Sequence, residues 1–310
     1  MAETPMSEDT AAPTAYRIIH RPRYGTLIAA CIAGFLALSL IVSIGGNANF
    51  QWEAVGHYLF HPAILRGLAI TLALTAVVLL IATLLGTAVA LMRLSSSRIL
   101  ATIALVYVWI FRGVPALIQL IFWFNLGLVI REISVVLPGF GTLFTLNTND
   151  VLSPYTAAVI ALSLCEAAYM AEIVRAGILS VPVGQEDAAR SLGMSRRQAF
   201  WRIVAPQALS FVIPPTGNAA ISLLKLTSLV TYVAVDDLFY AAQSIYARTF
   251  ETIPLLVVVA FWYLAVVTVM SIGQGFLEAH FGQFDRRSRR SWSLPLRQAG
   301  AGLRNLWRAQ

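Results

Sequence analysis

The side chains able to do chemistry are few, and four of them sit inside apolar stretches: Arg112, Glu166, Glu172 and Lys225, the single lysine of the chain. An ionisable group at the centre of a membrane helix costs about 2.5–3.5 kcal/mol or more unless it faces a cavity or a partner. Glu172 and Arg175 stand three apart, the spacing of neighbours on one helical face, and are expected to pair. Glu166 has no such local partner. For Lys225, Glu166, Asn218 and Gln119 two readings are open. They line a cavity in which a solute carrying both charges meets opposite charges, or they hold helices together through hydrogen bonds.

Other chemistry is hard to find. A Walker A loop ends in Gly-Lys followed by Ser or Thr, whereas Lys225 follows Leu224, so no nucleotide is held that way. His57 and His61 are four apart and could share a helical face as metal ligands do, but no third ligand is evident. Trp52, Tyr58 and Phe60 around them look like an interfacial aromatic belt. No Ser/His/Asp set or carboxylate pair is legible as catalytic. The chain is therefore expected to bind no metal or cofactor and to be no enzyme.

What positions the charged residues is a set of long apolar runs. The chain has 310 residues, 58% hydrophobic and only 12% charged, against a usual charged share of about 25%. A disordered chain would need the opposite balance. A bilayer core about 30 Å thick takes roughly 20 helical residues to cross. Six runs qualify: 26–44, 67–92, 99–130, 151–174, 211–235 and 252–277. The first exceeds the apolar core of a signal peptide, about 7–15 residues, and Ser43-Ile44-Gly45 is a weak cleavage site, so it is expected to be a retained helix. Cys31 and Cys165 fall in separate runs, and no disulfide framework is legible.

These runs predict an all-α, polytopic membrane protein with six transmembrane helices. Basic residues gather on the cytoplasmic side of a membrane protein. With the N-terminus inside, 17 of the 22 basic residues fall on that side and three outside, which predicts that both termini are cytoplasmic. The +7 net charge is then topology plus attraction to lipid headgroups, and no nucleic acid is needed to explain it. The run holding Arg112 is too long for one straight crossing. Pro115 should kink it, giving an interfacial stretch to about Arg112 and a crossing from Pro115 to Ile130. The loop from Arg131 to Pro154 is too short for a domain.

The loop from Arg175 to Pro206 carries the strongest local signals. Pro182 pre-sets a turn, Gln185 to Leu192 reads as a short helix, and Gly193 suits the left-handed position that ends it. Ser195 with Gln198 three residues on matches a capping box, opening a second helix that Pro206 should stop. Ala188 and Ala189 are small enough to let another surface approach the first helix. The stretch from Asp187 to Arg197 also resembles the helix-turn-helix of a DNA reader. It lacks a third packing helix and both ends are tied to the membrane, so no nucleic-acid partner is expected. A plain solvated hairpin is a third reading, though a simple connector has little use for such caps.

Asp187-Ala188-Ala189, three residues, Gly193, nine residues, then Ile203-Val204-Ala205-Pro206 resembles the EAA signature of bacterial ABC-importer permeases. Further segments are similar to the polar amino acid uptake branch of that family. They are Phe111-Arg112-Gly113-Val114-Pro115 with Gln119, Ala168-Tyr169-Met170-Ala171-Glu172 with Arg175, and Val181-Pro182-Val183-Gly184-Gln185. Pro206-Gln207-Ala208, Pro214-Pro215 with Asn218, and Lys225 followed by Thr227-Ser228-Leu229 complete the set. Asp187 stands where glutamate is usual, Ala205 where leucine is, and Leu226 where an acidic residue often follows the lysine.

The resemblance covers about residues 65–280 and implies a permease domain there, with a cytoplasmic tail over 1–24, an extra helix over 25–45 and a basic tail over 281–310. It implies an ATP-driven amino acid importer in the bacterial inner membrane. Such permeases pair with an identical or homologous copy, dock on ABC ATPase subunits that carry the ATP and Mg, and receive substrate from an extracytoplasmic solute-binding protein. The implied ATPase contacts are Gly184, Gln185, Glu186, Asp187, Ala188, Ala189, Gly193 and Met194. The implied substrate pathway is Gln119, Glu166, Asn218 and Lys225, with Arg112, Pro115, Glu172 and Arg175 structural or gating. A secondary transporter or channel is the alternative, although no paired inverted repeats are visible.

Overall fold

The structure, a computed structural model, describes residues 24–137 and 141–281. The expected tails, 1–24 and 281–310, fall outside the described residues apart from Tyr24 and Phe281. The chain divides into two units, residues 1–50 and 51–310. In the first unit α1 (Tyr24–Gly45) is a 22-residue apolar helix, followed by a short 3-10 turn at Ala48–Phe50.

The second unit is helical apart from one hairpin among its described residues. Its order is α2 (Trp52–Leu59), α3 (Pro62–Arg93), α4 (Arg98–Gly113), α5 (Ala116–Phe124), β1 (Glu132–Leu137), β2 (Gly141–Asn147), α6 (Thr148–Val151) and α7 (Pro154–Leu179). There follow α8 (Val183–Ser191), α9 (Arg196–Ala199), a π segment (Phe200–Val204), α10 (Ala205–Leu226), a 3-10 segment (Thr227–Val233), α11 (Leu238–Thr249) and α12 (Thr252–Phe281). Three helices, α3, α7 and α12, are each long and apolar enough to cross a membrane. Two bent pairs, α4 with α5 and the segment 196–233 with α11, raise the number in this unit to as many as five. With α1, that is consistent with six spans.

Helix α7 is the centre of the unit. Ser153 caps it by accepting from the Thr156 amide, and Pro154 opens it. Its buried side chains are mostly small, including Ala157, Ala158, Ala161, Ser163, Ala167, Ala168 and Ala171. Small residues let membrane helices come close enough for dense van der Waals packing. At the crossing with α3 a Cβ on Gly86 would lie 2.6 Å from the Met170 Cβ, so only glycine fits there. Leu74, Val78, Leu120, Leu162, Leu223 and Val230 then close a core shared by α3, α5, α7, α10 and the 3-10 segment.

Two expectations need correction. The proline-kinked run does not cross from Pro115 to Ile130. Helix α5 ends at Phe124 after nine residues, about 14 Å of rise, and it leaves α4 at 99°. Pro115 forces Val114 into extended backbone (φ −93, ψ 130), so α4 must end at Gly113. Pro206 does not stop the second helix of the 175–206 loop. The π segment widens the turn, the Ala205 amide donates to the Phe200 carbonyl five residues back, and the chain runs on into α10. The wider turn bonds i to i+5, so the missing Pro206 amide need not break the rod. The Arg131–Pro154 loop, too short for a domain, holds an antiparallel hairpin, Glu132 opposite Asn147 and Leu137 opposite Gly141.

Candidate functional site

A cavity of about 650 Å³ opens where the α4–α5 break faces α7 and α10. Arg112 and Pro115 come from the break, Glu166 and Tyr169 from α7, and Asn218 and Ser222 from α10. The local reasons are periodic. Tyr169 is three residues after Glu166 and Ser222 four after Asn218, so each pair shares one helical face. Glu166 is 7% exposed and forms no ion pair among the described residues. The Arg112 guanidinium lies 5.1 Å from the centre of the Tyr169 ring, within cation–π range. The cavity therefore offers one buried carboxyl group and one aromatic-backed cation. Tyr169 and Ser222 were not singled out as site residues, though their helical spacing from Glu166 and Asn218 was readable.

Gln119 and Lys225 stand elsewhere. Gln119 is buried, and its Nε2 donates to the carbonyls of Phe111 at 3.0 Å and Val114 at 2.8 Å. Those carbonyls lie at the broken end of α4, where helical donors run out. Gln119 thus ties the break shut and does not line the cavity. Lys225 is exposed and does not line it either. It follows Ser222 by three residues and Asn218 by seven, which puts it on the same side of α10.

Glu172 pairs as expected with Arg175, whose Nη2 lies 2.8 Å away, and it also binds Arg93 at the end of α3. One half-buried carboxylate so clamps two helices, and the Arg93 half was not foreseen.

The 175–206 connection folds as a knob. Gly193 takes φ +81, the left-handed region, and the Met194 amide donates to the Ala189 carbonyl at 3.2 Å. The capping box is present in both directions: Ser195 Oγ accepts from the Gln198 amide, and Gln198 Oε1 accepts from the Ser195 amide. Gly184, Gln185, Glu186, Asp187, Ala188 and Gly193 are exposed, and Met194 is half-buried. Ala189, expected on the outer face with Ala188, is buried at 4% instead. It faces inward because one step along a helix turns a side chain by about 100°. Asp187, Arg190, Ser191, Gly193 and Met194 border a shallow hollow on the knob.

Bent spans around a charged cavity, with a capped knob slung between two of them, suit a membrane subunit that moves solute. The sequence pattern of the binding-protein-dependent transport system inner membrane components matches residues 82–283, and the chain belongs to that family. Membership places it among the permease subunits of transport systems rather than among enzymes. It is 39% identical over 266 residues to the arginine transport system permease protein ArgU of Corynebacterium glutamicum, covering 85% of this chain and 82% of that protein. The L-cystine transport system permease protein TcyB of Bacillus subtilis is 36% identical over 234 residues, 75% of this chain and 92% of that one. A crystal structure of an amino acid ABC transporter with histidines superposes with a TM-score of 0.62 at 31% identity, over 71% of this chain and 95% of that one.

Proposed function

We propose that the chain is the membrane-spanning subunit of an ATP-driven amino acid importer, forming the translocation pathway and taking force from a separate ATPase through its 175–206 knob. The observation that carries the reading is Glu166, buried with no ion pair among the described residues in a cavity that Arg112 also lines. A carboxylate buried this way is costly unless an incoming cation compensates it. The substrate ammonium, or a cationic side chain, is that cation, and Arg112 meets the carboxylate. Asn218 supplies amide hydrogen bonds. Lys225 brings charge to the same side of α10, where a second permease copy would complete the pathway. Gln119 and Pro115 shape the break that presents Arg112.

The knob is the coupling element, with Asp187, Ala188, Gly193 and Met194 presented to the ATPase and Ala189 packing behind them. ATP and Mg belong to that partner. The basic residues orient the knob and both termini to the cytoplasm of a bacterial cell, and the hairpin to the outside, where a solute-binding protein delivers the amino acid. The relatives' names and the family's binding-protein dependence support this arrangement.

Reconstitution tests it. Vesicles holding the permease alone, the permease with its ATPase, and both with the binding protein are given labelled amino acids. Accumulation should require all three proteins and ATP. Accumulation by the permease alone, driven by an ion gradient, would overturn the proposal in favour of a secondary transporter.

A further inference from the structure

Helix α10 runs from the end of the knob to the wall of the cavity and is softened midway. Pro214 and Pro215 lie inside it. Each removes an amide donor, so the carbonyls of Ser210 and Phe211 lose their helical partners. At this point α12 reaches across. Gln274 is 6% exposed, and its Nε2 donates to the Pro214 carbonyl at 2.6 Å and to Glu278 Oε1 at 3.0 Å. Glu278 fixes the orientation, because a flipped amide would set its oxygen against two acceptors. Gln274 Oε1 lies against Gly217, where an added Cβ would collide with it. That oxygen is buried with no hydrogen-bond partner among the described residues. A residue that merely filled space would pack here better as methionine, without an unpaired acceptor.

The placement matters because the next residues form the cavity. Pro215, Asn218 and Ser222 line it, while the N-terminal part of α10 continues without a loop from the π segment and α9 of the knob. Resting on the coupling reading of the knob, we propose that Gln274 is a positioning residue. By gripping the Pro214 carbonyl it sets where the Asn218–Ser222 wall stands relative to the knob, and Glu278 holds its amide in the gripping orientation. Movement of the knob then reaches the substrate wall only while α12 braces the softened turn. Without the brace, the Pro-Pro segment absorbs the movement.

The test compares amino acid moved per ATP hydrolysed in the reconstituted complex of permease, ATPase and binding protein. Gln274→Met keeps length and apolar packing but cannot donate. It should leave ATPase content unchanged and basal hydrolysis within about twofold, while transport per ATP falls roughly fivefold or more, the scale of one lost hydrogen bond. Gly217→Ala should show the same uncoupling by displacing the Gln274 amide, and Gly217→Ala with Gln274→Ala, which relieves that clash but still lacks the donor to Pro214, should assemble and stay uncoupled. Transport per ATP within twofold of wild type in Gln274→Met would overturn the proposal. So would loss of ATPase from that complex, which would place the residue in docking. If Gln274→Met does not assemble, an assembled double variant with normal transport per ATP overturns the proposal, and an uncoupled one supports it. Failure of the coupling reading itself shows separately, in the ATPase content of Gly193→Arg with Gln274 in place.

Discussion

Gly193 gives the sharpest handle on the knob. Its φ of +81 is open to glycine at no cost, whereas an L side chain there pays about 1–2 kcal/mol. A Cβ at this position meets no atom within 4 Å, so Gly193→Ala adds strain and no clash. At about 1.4 kcal/mol per factor of ten, that strain should weaken ATPase docking by up to roughly 5- to 30-fold, to the extent that the free knob relaxes out of the left-handed turn. Asparagine tolerates the left-handed region better, so Gly193→Asn should lose less than alanine. Gly193→Arg carries the alanine strain and adds a bulky charge beside the hollow bordered by Asp187, Arg190 and Met194, so it should lose most. The assay is a titration of ATPase onto permease held in lipid nanodiscs, with substrate-stimulated hydrolysis measured on the same samples. The expected order of affinity is glycine, asparagine, alanine, arginine. An arginine variant with full ATPase binding and normal stimulated turnover would refute both the strain argument and the assignment of the knob.

Glu166→Gln should cut initial uptake by about tenfold or more, since a charge-assisted hydrogen bond contributes about 1.5–3 kcal/mol, and should leave ATPase co-purification intact; unchanged uptake would remove Glu166 from the pathway. Lys225→Met should insert and assemble normally, because Lys225 is exposed, yet lower uptake; an unaltered rate and substrate profile would mean that it faces lipid. Glu172→Gln should destabilise the purified complex by about 1–3 kcal/mol, read as a lower thermal midpoint, because Arg93 and Arg175 both lose their counter-charge; an unmoved midpoint would contradict the clamp. A reporter active only outside the cytoplasm should work when fused at Gly141 and stay silent after Arg290, and the reverse pattern would invert the topology.

Short-range rules were legible because their chemistry lies within a few residues. The Ser195–Gln198 capping box, the left-handed Gly193 and the Glu172–Arg175 pair each need one turn of chain and no more. The break at Val114–Pro115 was readable too, but not its 99° angle, which leaves α5 too short to cross. Features set by distant partners were not readable. Nothing near Arg93 in the sequence points to Glu172, 79 residues away, and the readable break did not show that Gln119 would fold back to cap the carbonyls of Phe111 and Val114. The hairpin has a local signal in the sequence: the β-branched Ile133, Val135 and Val136 and the Gly141–Asn147 stretch flank Pro138-Gly139, a turn-forming pair. The inward face of Ala189 depends on how α8 lies against α9 and the π segment, which only the folded knob decides.

The π segment fixes the rotational phase between the knob and the membrane. Phe200–Val204 carries one residue more than an α-helical turn would hold, and it joins α9 to α10 as one unbroken rod. Each residue advances a helix by about 100°. Deleting a single residue between Phe200 and Val204 would let the segment relax into α-helix with α9 and α10 both preserved. Inserting one in an ordinary surface loop would be absorbed by slack, but a rod has none. The 200–204 stretch is therefore a length-counting element: the knob and the cavity wall keep their mutual facing only while five residues lie between Ala199 and Ala205.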